Sequence, residues 1–377
     1  MSKFNIFFRA DSSEVIGTGH ISRCINLANS LEDHPQVNSI SFICSTITEN
    51  QISILNKNNF SLNRLIHDED TSFPPQQRDS YESWCILGWE KDAKQTIDVL
   101  NQKPESGKKS LLICDHYGLD SKWEKKIAET TGVKILAIDD LANRPHFCDY
   151  LLDHNHYDAP HSRYENLLEK QGCHLMLGAT YAMLNKNLAT LKSTYKQRTN
   201  NIFACFGGFD PTHETLKLLK AIKACPKSSN FTFDIVFGAL STKDFEIATR
   251  DYGDIKNIKI HKNPPNIYQL IRDSFFAFGS GGTMTWERII LETPAAVTAV
   301  AKNQEFMCES LSDREYIDYL GSHQVTTPAS YSKTLEKLDF QAIFYLNMLH
   351  KNKEISQSWD PNNSVREIFS SIEKHED

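Results

Sequence analysis

The sequence predicts an α/β fold of two doubly wound domains in tandem, each a parallel sheet covered by helices. Three observations predict it. Short continuous apolar runs alternate with longer amphipathic stretches, which is the pattern of strands buried on both faces and their crossover helices. The alternation runs twice, before and after a polar stretch at Lys186–Asn200. A chain of 377 residues, at roughly 150 residues per domain, is long enough for two cores of ordinary size. The expected division is 1–192 and 193–377, with a helical tail counted in the second domain.

The first series opens with a strand over Phe4–Ala10. A helix follows over Ile21–Leu31, with Ile21, Ile25, Leu27 and Ala28 on its apolar side. Ser39–Cys44 is the next strand and Gln51–Lys57 a helical stretch. Residues 72–107 are polar and punctuated by Pro74, Pro75 and Pro104, so they read as an insertion holding one helix near Glu90–Leu100. Leu111–Cys114 and Val133–Ile138 are strands, with a crossover helix between them at Ser121–Thr130. In the second series the strands are Asn201–Phe206, Thr232–Phe237, Ile258–His261, Phe275–Phe278 and Ala295–Ala299. Helices fall at Thr215–Ala224, Tyr268–Asp273 and Thr283–Leu291. Residues 331–377 read as helices.

Composition narrows the class. Hydrophobic residues are 40%, charged residues 24% and the net charge is −7, which suits a folded globular protein and argues against a surface that coats nucleic acid. No apolar run reaches the roughly 18 residues of a membrane span, and the first residues lack a basic-then-apolar signal pattern, so a cytoplasmic protein is expected. The nine cysteines are scattered with no C-x-x-C pair, as expected of small buried thiols in a reducing compartment and not of disulfides or a zinc site.

Glycine is scarce, 16 of 377 residues, so its clusters are informative. The first is Gly17-Thr18-Gly19-His20, between Arg9-Ala10-Asp11 and Arg23, in the loop from the first strand to the first helix. Ligands of doubly wound sheets bind at such carboxyl ends of strands. His20 reads in two ways: a general base, kept neutral by the helix end, or a capping histidine. The spacing is not G-x-G-x-x-G, which disfavours a dinucleotide. The second cluster, Gly279-Ser280-Gly281-Gly282-Thr283, joins a strand to a helix and carries no Walker lysine. Its backbone N–H groups suit a diphosphate, and Glu287 one turn on suits a ribose diol. The third, Gly207-Gly208-Phe209-Asp210, is a second phosphate contact or a close-packed turn, with Asp210 a ligand or a helix cap. Asp115-His116-Tyr117-Gly118, Asp139-Asp140 and Lys302-Asn303-Gln304 also end predicted strands. No D-x-D metal motif accompanies them.

Together these stretches resemble one family, the UDP-2,4-diacetamido-2,4,6-trideoxy-β-L-altropyranose hydrolases of pseudaminic acid biosynthesis (PseG). The matching segments are RADSSEVIGTGHISRC from Arg9, DHYG from Asp115, IDDLANRPHFCDYLLDHN from Ile138, LGATYAML from Leu177, FGGFDP from Phe206, GSGGTMTWE from Gly279 and KNQE from Lys302. The chain departs from the family at Asn185-Lys186, where an arginine is common, and in the length of 72–107 and of the tail. The resemblance implies a GT-B-like fold, two domains facing across a cleft, and inverting hydrolysis of a UDP-sugar at its anomeric carbon. It implies His20, Tyr117 and Asn303 as catalytic residues. Arg9, Asp11, Gly17, Gly19, Arg23, Gly207, Gly208, Asp210, Ser280, Gly281, Gly282, Thr283, Glu287 and Gln304 are the expected substrate contacts. No cofactor, metal, nucleic acid or membrane insertion is expected, and the chain is expected to act as a monomer. Two other readings stay open: a GT-B glycosyltransferase with an acceptor, and a UDP-sugar-binding protein without turnover.

Overall fold

A computed structural model describes residues 3–67, 80–102, 108–194 and 198–374. In chain order it begins with β1 (Phe4–Ala10), α1 (Gly19–Leu31), β2 (Val37–Cys44), α2 (Glu49–Lys57), β3 (Ser61–Arg64), α3 (Trp89–Asn101) and β4 (Lys109–Asp115). There follow α4 (Ser121–Thr131), β5 (Lys134–Ile138), β6 (Tyr150–Asp153), β7 (His174–Leu177) and α5 (Asn187–Ser193). Next come β8 (Thr199–Cys205), α6 (Glu214–Ala224), β9 (Thr232–Phe237), α7 (Thr242–Tyr252), β10 (Ile258–Lys262), α8 (Ile267–Asp273) and β11 (Ser274–Ser280). The chain ends with α9 (Met284–Ile290), β12 (Ala295–Ala299), α10 (Lys302–Asp313), β13 (Asp318–Ser322), α11 (Pro328–Lys337), α12 (Ile343–Ser358) and α13 (Asn363–Lys374).

The strands form two parallel sheets, ordered β3-β2-β1-β4-β5-β6-β7 and β10-β9-β8-β11-β12-β13. The alternating series therefore delivers the expected α/β architecture. Burial explains the unbroken apolar runs. All seven residues of β1 are buried. Phe4, Ile6, Phe8 and Ala10 face the core lined by α1, while Phe7 faces the opposite core, with Trp123 and Ile127 of α4. β11 is likewise buried along its whole length. In each sheet two neighbouring strands, β1 with β4 and β8 with β11, send their connections in opposite directions. Such switch points open a crevice at the carboxyl ends of the strands, and the three glycine clusters and the Asp115–Gly118 loop all fall there.

The domain division differs from expectation. The chain divides into Met1–Lys186 with Asp360–Asp377, and Asn187–Trp359, so the first unit ends six residues before the expected 192 and reclaims the end of the chain. The reason is α13. Its residues Val365, Ile368, Phe369 and Ile372 follow helical spacing and join the core of β1 and α1. Phe369 stacks on His34 at 4.0 Å and meets Phe4 edge-on at 5.9 Å. Burying these four side chains stabilises the docking by about 1.5–3 kcal/mol each. In the first turn of the helix, Asn363 Nδ2 donates to Thr180 O at 3.0 Å and Ser364 Oγ to Tyr181 O at 3.1 Å. The polar stretch at Lys186–Asn200 contains the short helix α5. The helix expected near Glu90–Leu100 is α3; residues 72–79 and 103–107 of the expected insertion lie outside the described residues.

Candidate active site

His20 stands in the first turn of α1, just beyond the carboxyl end of β1. Its Nδ1 lies 2.6 Å from Asp115 Oδ1, at the end of β4. Asp115 is fully buried and accepts two bonds from Arg23, Nε to Oδ2 at 2.6 Å and Nη2 to Oδ1 at 2.7 Å. Burial alone would raise the Asp115 pKa, but the Arg23 guanidinium and His20 outweigh it and hold the carboxyl well below its usual range. An ionised carboxylate only accepts, so the neutral imidazole carries its proton on Nδ1 and its lone pair on Nε2. Nε2 makes no hydrogen bond among the described residues. The helix start places the ring, and Asp115 sets its tautomer.

Arg23 also donates Nη1 to Asp140 Oδ2 at 2.7 Å, and Asp140 Oδ1 accepts from Tyr117 OH at 2.5 Å. Burial and Asp140 push the Tyr117 pKa well up, so the phenol stays protonated. The Tyr117 ring meets the His20 ring edge-on at 4.4 Å. Trp84, from a 3₁₀ turn at Tyr81–Trp84, meets His20 at 5.8 Å and stacks on Tyr117 at 5.4 Å. Gly118 is required here: a Cβ would lie 2.5 Å from the Tyr81 carbonyl oxygen. His20 and Tyr117 are thus brought together, against an apolar wall completed by Ile16. Gly17 has φ of +79°, a backbone open to glycine at little cost, and the Cβ positions of Gly17 and Gly19 face open space.

Three expected substrate contacts of this unit have other work. Arg9 and Asp11 are 0% exposed. Arg9 grips Asp11 (2.7 and 3.0 Å) and Asp92 of α3 (3.1 and 2.6 Å). Asp11 further accepts the Ser45 and Thr46 N–H groups at 2.7 and 3.2 Å. Both side chains are consumed in tying the end of β1 to its neighbours, because a buried charge must be paired. Arg23 is 4% exposed and clamps Asp115 and Asp140. Asp139 is a turn residue: it accepts the Leu141 and Ala142 N–H groups and pairs with Arg144 at 2.7 Å.

In the second unit the glycine loop follows β11. Ser280 O accepts from Arg288 Nη2 at 2.7 Å and Thr285 Oγ1 at 3.0 Å, and Gly281 N donates to Thr298 O at 3.2 Å. That last amide is therefore already used. A Cβ on Gly281 would lie 2.3 Å from Cys308 Sγ and 3.2 Å from Gln304 Cβ, whereas Gly282 has only Gln304 Nε2 at 3.9 Å. Gln304 supports the loop from below and accepts the Val300 N–H at 3.0 Å. Asn303 is half-buried in the first turn of α10. Gly207, with φ of +104°, brings its Cβ position 3.7 Å from Ser280 Oγ, so the two loops meet. Gly208 packs against Gly238, whose Cβ would lie 2.4 Å from Gly208 Cα. Glu287 is buried and accepts from Tyr268 OH at 3.1 Å; burial raises its pKa to about 7, against Tyr268 and Arg288, which lower it. Asp210 proves to be the cap of α6. It accepts the Glu214 and Thr215 N–H groups at 3.0 and 2.8 Å and the Thr215 hydroxyl at 2.8 Å, leaving a buried carboxylate already satisfied.

Among the described residues one set of donors has metal-ligand proximity: Glu124, His146 and Cys148. His146 lies between Glu124 (2.8 Å) and Asp139 (3.5 Å). Burial lowers its pKa, but the two carboxylates outweigh that and raise it to about 9, so the ring is an imidazolium with both nitrogens protonated. In this form His146 pairs with Glu124.

Asp115, Asp140, Trp84, Tyr268 and Arg288 were not among the expected site residues. Position after a strand signals the two aspartates; the aromatic run Tyr81–Trp89 inside a polar segment is the only sequence signal for Trp84.

No family model matches the chain. Among curated proteins it is 26% identical over 311 residues to the UDP-2,4-diacetamido-2,4,6-trideoxy-beta-L-altropyranose hydrolase of Campylobacter jejuni, covering 82% of the chain and 97% of that enzyme. It is 24% identical over 295 residues to an uncharacterized protein of Methanocaldococcus jannaschii, covering 76% of the chain and 54% of that protein. Solved structures of similar fold include Phytolacca americana UGT2 complexed with UDP-2fluoro-glucose and pterostilbene (TM-score 0.70, 14% identity, 98% and 99% of the two chains). Acinetobacter baumannii MurG matches with TM-score 0.64 and 12% identity over 99% of both chains. S. aureus MnaA bound to UDP matches with TM-score 0.63 and 14% identity over 100% and 97%. These likenesses establish the GT-B architecture of paired parallel sheets, and within it the chain is similar along nearly the whole length of a UDP-sugar hydrolase.

Proposed function

We propose that this chain hydrolyses a UDP-linked 2,4-diacetamido-2,4,6-trideoxy sugar at the anomeric carbon, with inversion, releasing UDP and a free sugar that feeds nonulosonic acid synthesis. The observation that carries the reading is the His20–Asp115–Arg23 arrangement. It presents a basic Nε2 beside Tyr117, in a chain similar to a hydrolase of that name.

The chemistry divides between the two units. In the first, His20 Nε2 accepts a proton from water as the oxygen attacks the anomeric carbon. Asp115 stabilises the imidazolium that forms and does not itself take the proton. Positioned general-base catalysis of this kind is worth about 10²- to 10⁴-fold. Tyr117 OH is spent on Asp140, so Tyr117 shapes the sugar site with its ring face and with Trp84. In the second unit the Ser280–Thr283 loop receives the diphosphate and stabilises the charge of the departing UDP. Glu287 accepts from the ribose hydroxyls when ionised. Asn303, in the turn above Gln304, is assigned to the sugar. The base lies in the first unit, and the loop proposed for UDP, with Asn303, lies in the second.

The test is incubation with a panel of UDP-sugars that includes the altropyranose substrate, with UDP release followed by NMR. The reading expects release of UDP in water alone, fastest with the diacetamido-trideoxy sugar. Release that requires an added acceptor makes the chain a glycosyltransferase. Binding without release makes it a non-catalytic UDP-sugar-binding protein.

A further inference from the structure

Arg288 of α9 is 1% exposed, yet unlike the other deeply buried arginines it grips no carboxylate. Arg9 and Arg23 each hold two aspartates at 2.6–2.7 Å. Arg288 spends one nitrogen, Nη2, on Ser280 O and on Thr285 Oγ1, at 2.7 and 2.9 Å. Its Nε and Nη1 are buried and have no hydrogen-bond partner among the described residues.

The groups around it offer at most a partial negative charge, from Glu287. The Cys205 and Cys308 thiols are pushed up to about 11 and 12 by burial and are neutral near pH 7. Glu287 next door is raised to about 7 and turns one oxygen to Tyr268. Burial draws the guanidinium pKa itself down to about 10, so the cation is present at neutral pH but poorly compensated. A buried charge without a partner is destabilising and persists where something offsets it.

Its position says what does. A Cβ added to Gly279 would lie 2.0 Å from Nη1, so the guanidinium packs directly under Gly279 and Ser280, the base of the glycine loop. We propose that Arg288 is a positioning residue for the diphosphate of a nucleoside diphosphate: it fixes the Ser280 carbonyl and lends the loop a buried positive charge that is neutralised when the diphosphate binds. It does not touch the ligand and acts through the loop. The inference rests on the functional reading above, which gives the loop a diphosphate.

Titration calorimetry of the full chain with UDP, UMP and uridine separates charge from scaffold, using Arg288→Gln and Arg288→Lys. Loss of a buried charge acting at several ångströms is expected to weaken UDP by about tenfold or more, UMP by less, and uridine by no more than about twofold. Arg288→Lys, which keeps the charge, is expected to stay within about threefold of wild type in its preference for UDP over uridine. Unchanged UDP affinity in Arg288→Gln, or a parallel fall for uridine, overturns the proposal while leaving the functional reading in place. Wild-type protein that binds no UDP overturns the functional reading and this proposal with it. Should Arg288→Gln fail to fold by circular dichroism, Arg288→Lys decides: lost UDP preference with retained uridine binding contradicts a role for the charge.

Discussion

Replacing Asp115 by Asn removes one negative charge and one acceptor from a fully buried position while keeping the shape. Asp115 receives bonds from His20 Nδ1 (2.6 Å), Arg23 Nε (2.6 Å) and Arg23 Nη2 (2.7 Å). An amide cannot accept on both sides, so one of these donors must face an NH₂ group. Either Arg23 loses a bond, or His20 accepts at Nδ1 and its proton moves to Nε2, where the lone pair is needed. In both cases the imidazolium formed during turnover loses its counter-charge. The expected fall in kcat for UDP release is about 10²- to 10⁴-fold, with His20→Ala as the upper bound. KM stays within about threefold, because Asp115 reaches substrate only through His20. Stability falls as well. Uncoupling one partner of a buried ion pair costs about 3–5 kcal/mol, and the value should sit at the low end because Asp140 still holds Arg23 at 2.7 Å. Steady-state UDP release gives the first quantity and urea denaturation the second. Folded Asp115→Asn protein with kcat within about threefold of wild type would refute the orienting role.

Other expectations follow from single environments. Glu287 carries a pKa of about 7, so affinity for uridine, which has no group of its own titrating there, should rise as pH increases through 7 and the ribose acceptor becomes a carboxylate; in Glu287→Gln that rise should vanish in calorimetry across pH 5.5–8.5. Ile368→Ala hollows the seat of α13 and should cost about 2–5 kcal/mol, with hydrogen exchange rising in Phe4–Ala10 and α1 and not in β8–β13. His146 is raised to about 9 above its ordinary value, so its contribution is complete below about pH 6.5 and lost as pH climbs through 9. Asp153, raised to about 8 by burial and Asp140, acts in the same direction. The first unit should therefore lose stability between pH 6.5 and 9, by about 3 kcal/mol from His146 alone; a urea midpoint that is flat or rising over that window would contradict the buried imidazolium.

Strands with both faces buried were the most legible part of the fold. β1, β4, β8 and β11 each carry a short continuous apolar stretch (Ile6–Phe8, Leu111–Cys114, Ile202–Cys205 and Phe275–Phe278) because both faces of the sheet are buried there. β6 and β7 are four-residue strands, too short to separate from a turn by periodicity. The apolar stripe of α13 shows that the helix is buried on one side but not which core it joins; that depends on Phe4 and His34, more than 300 residues away. The same distance hides the structural partners of the charged candidates. Arg9 and Asp11 look like ligand contacts at the end of a strand until Asp92, 83 residues on, closes the ion pair. Asp210 reads as a ligand or a cap, and only the Glu214 and Thr215 N–H groups decide it. His20 and the three glycine clusters could be read as candidates because strand-to-helix turns are local, and the resemblance added Tyr117 and Asn303 to the proposal. Asp115, Asp140 and Trp84 became part of the site only once β4, β5 and the 3₁₀ turn were brought beside α1.

The central claim is that His20 activates water for attack on a UDP-sugar. The most direct test follows the UDP-linked altropyranose by time-resolved NMR with wild-type and His20→Ala protein, with no acceptor present. Wild type is expected to release UDP with the inverted anomer forming first, before mutarotation. His20→Ala is expected to bind UDP within about threefold of wild type and to turn over about 10²- to 10⁴-fold more slowly. A retained first anomer, or His20→Ala protein that hydrolyses at the wild-type rate, would contradict it.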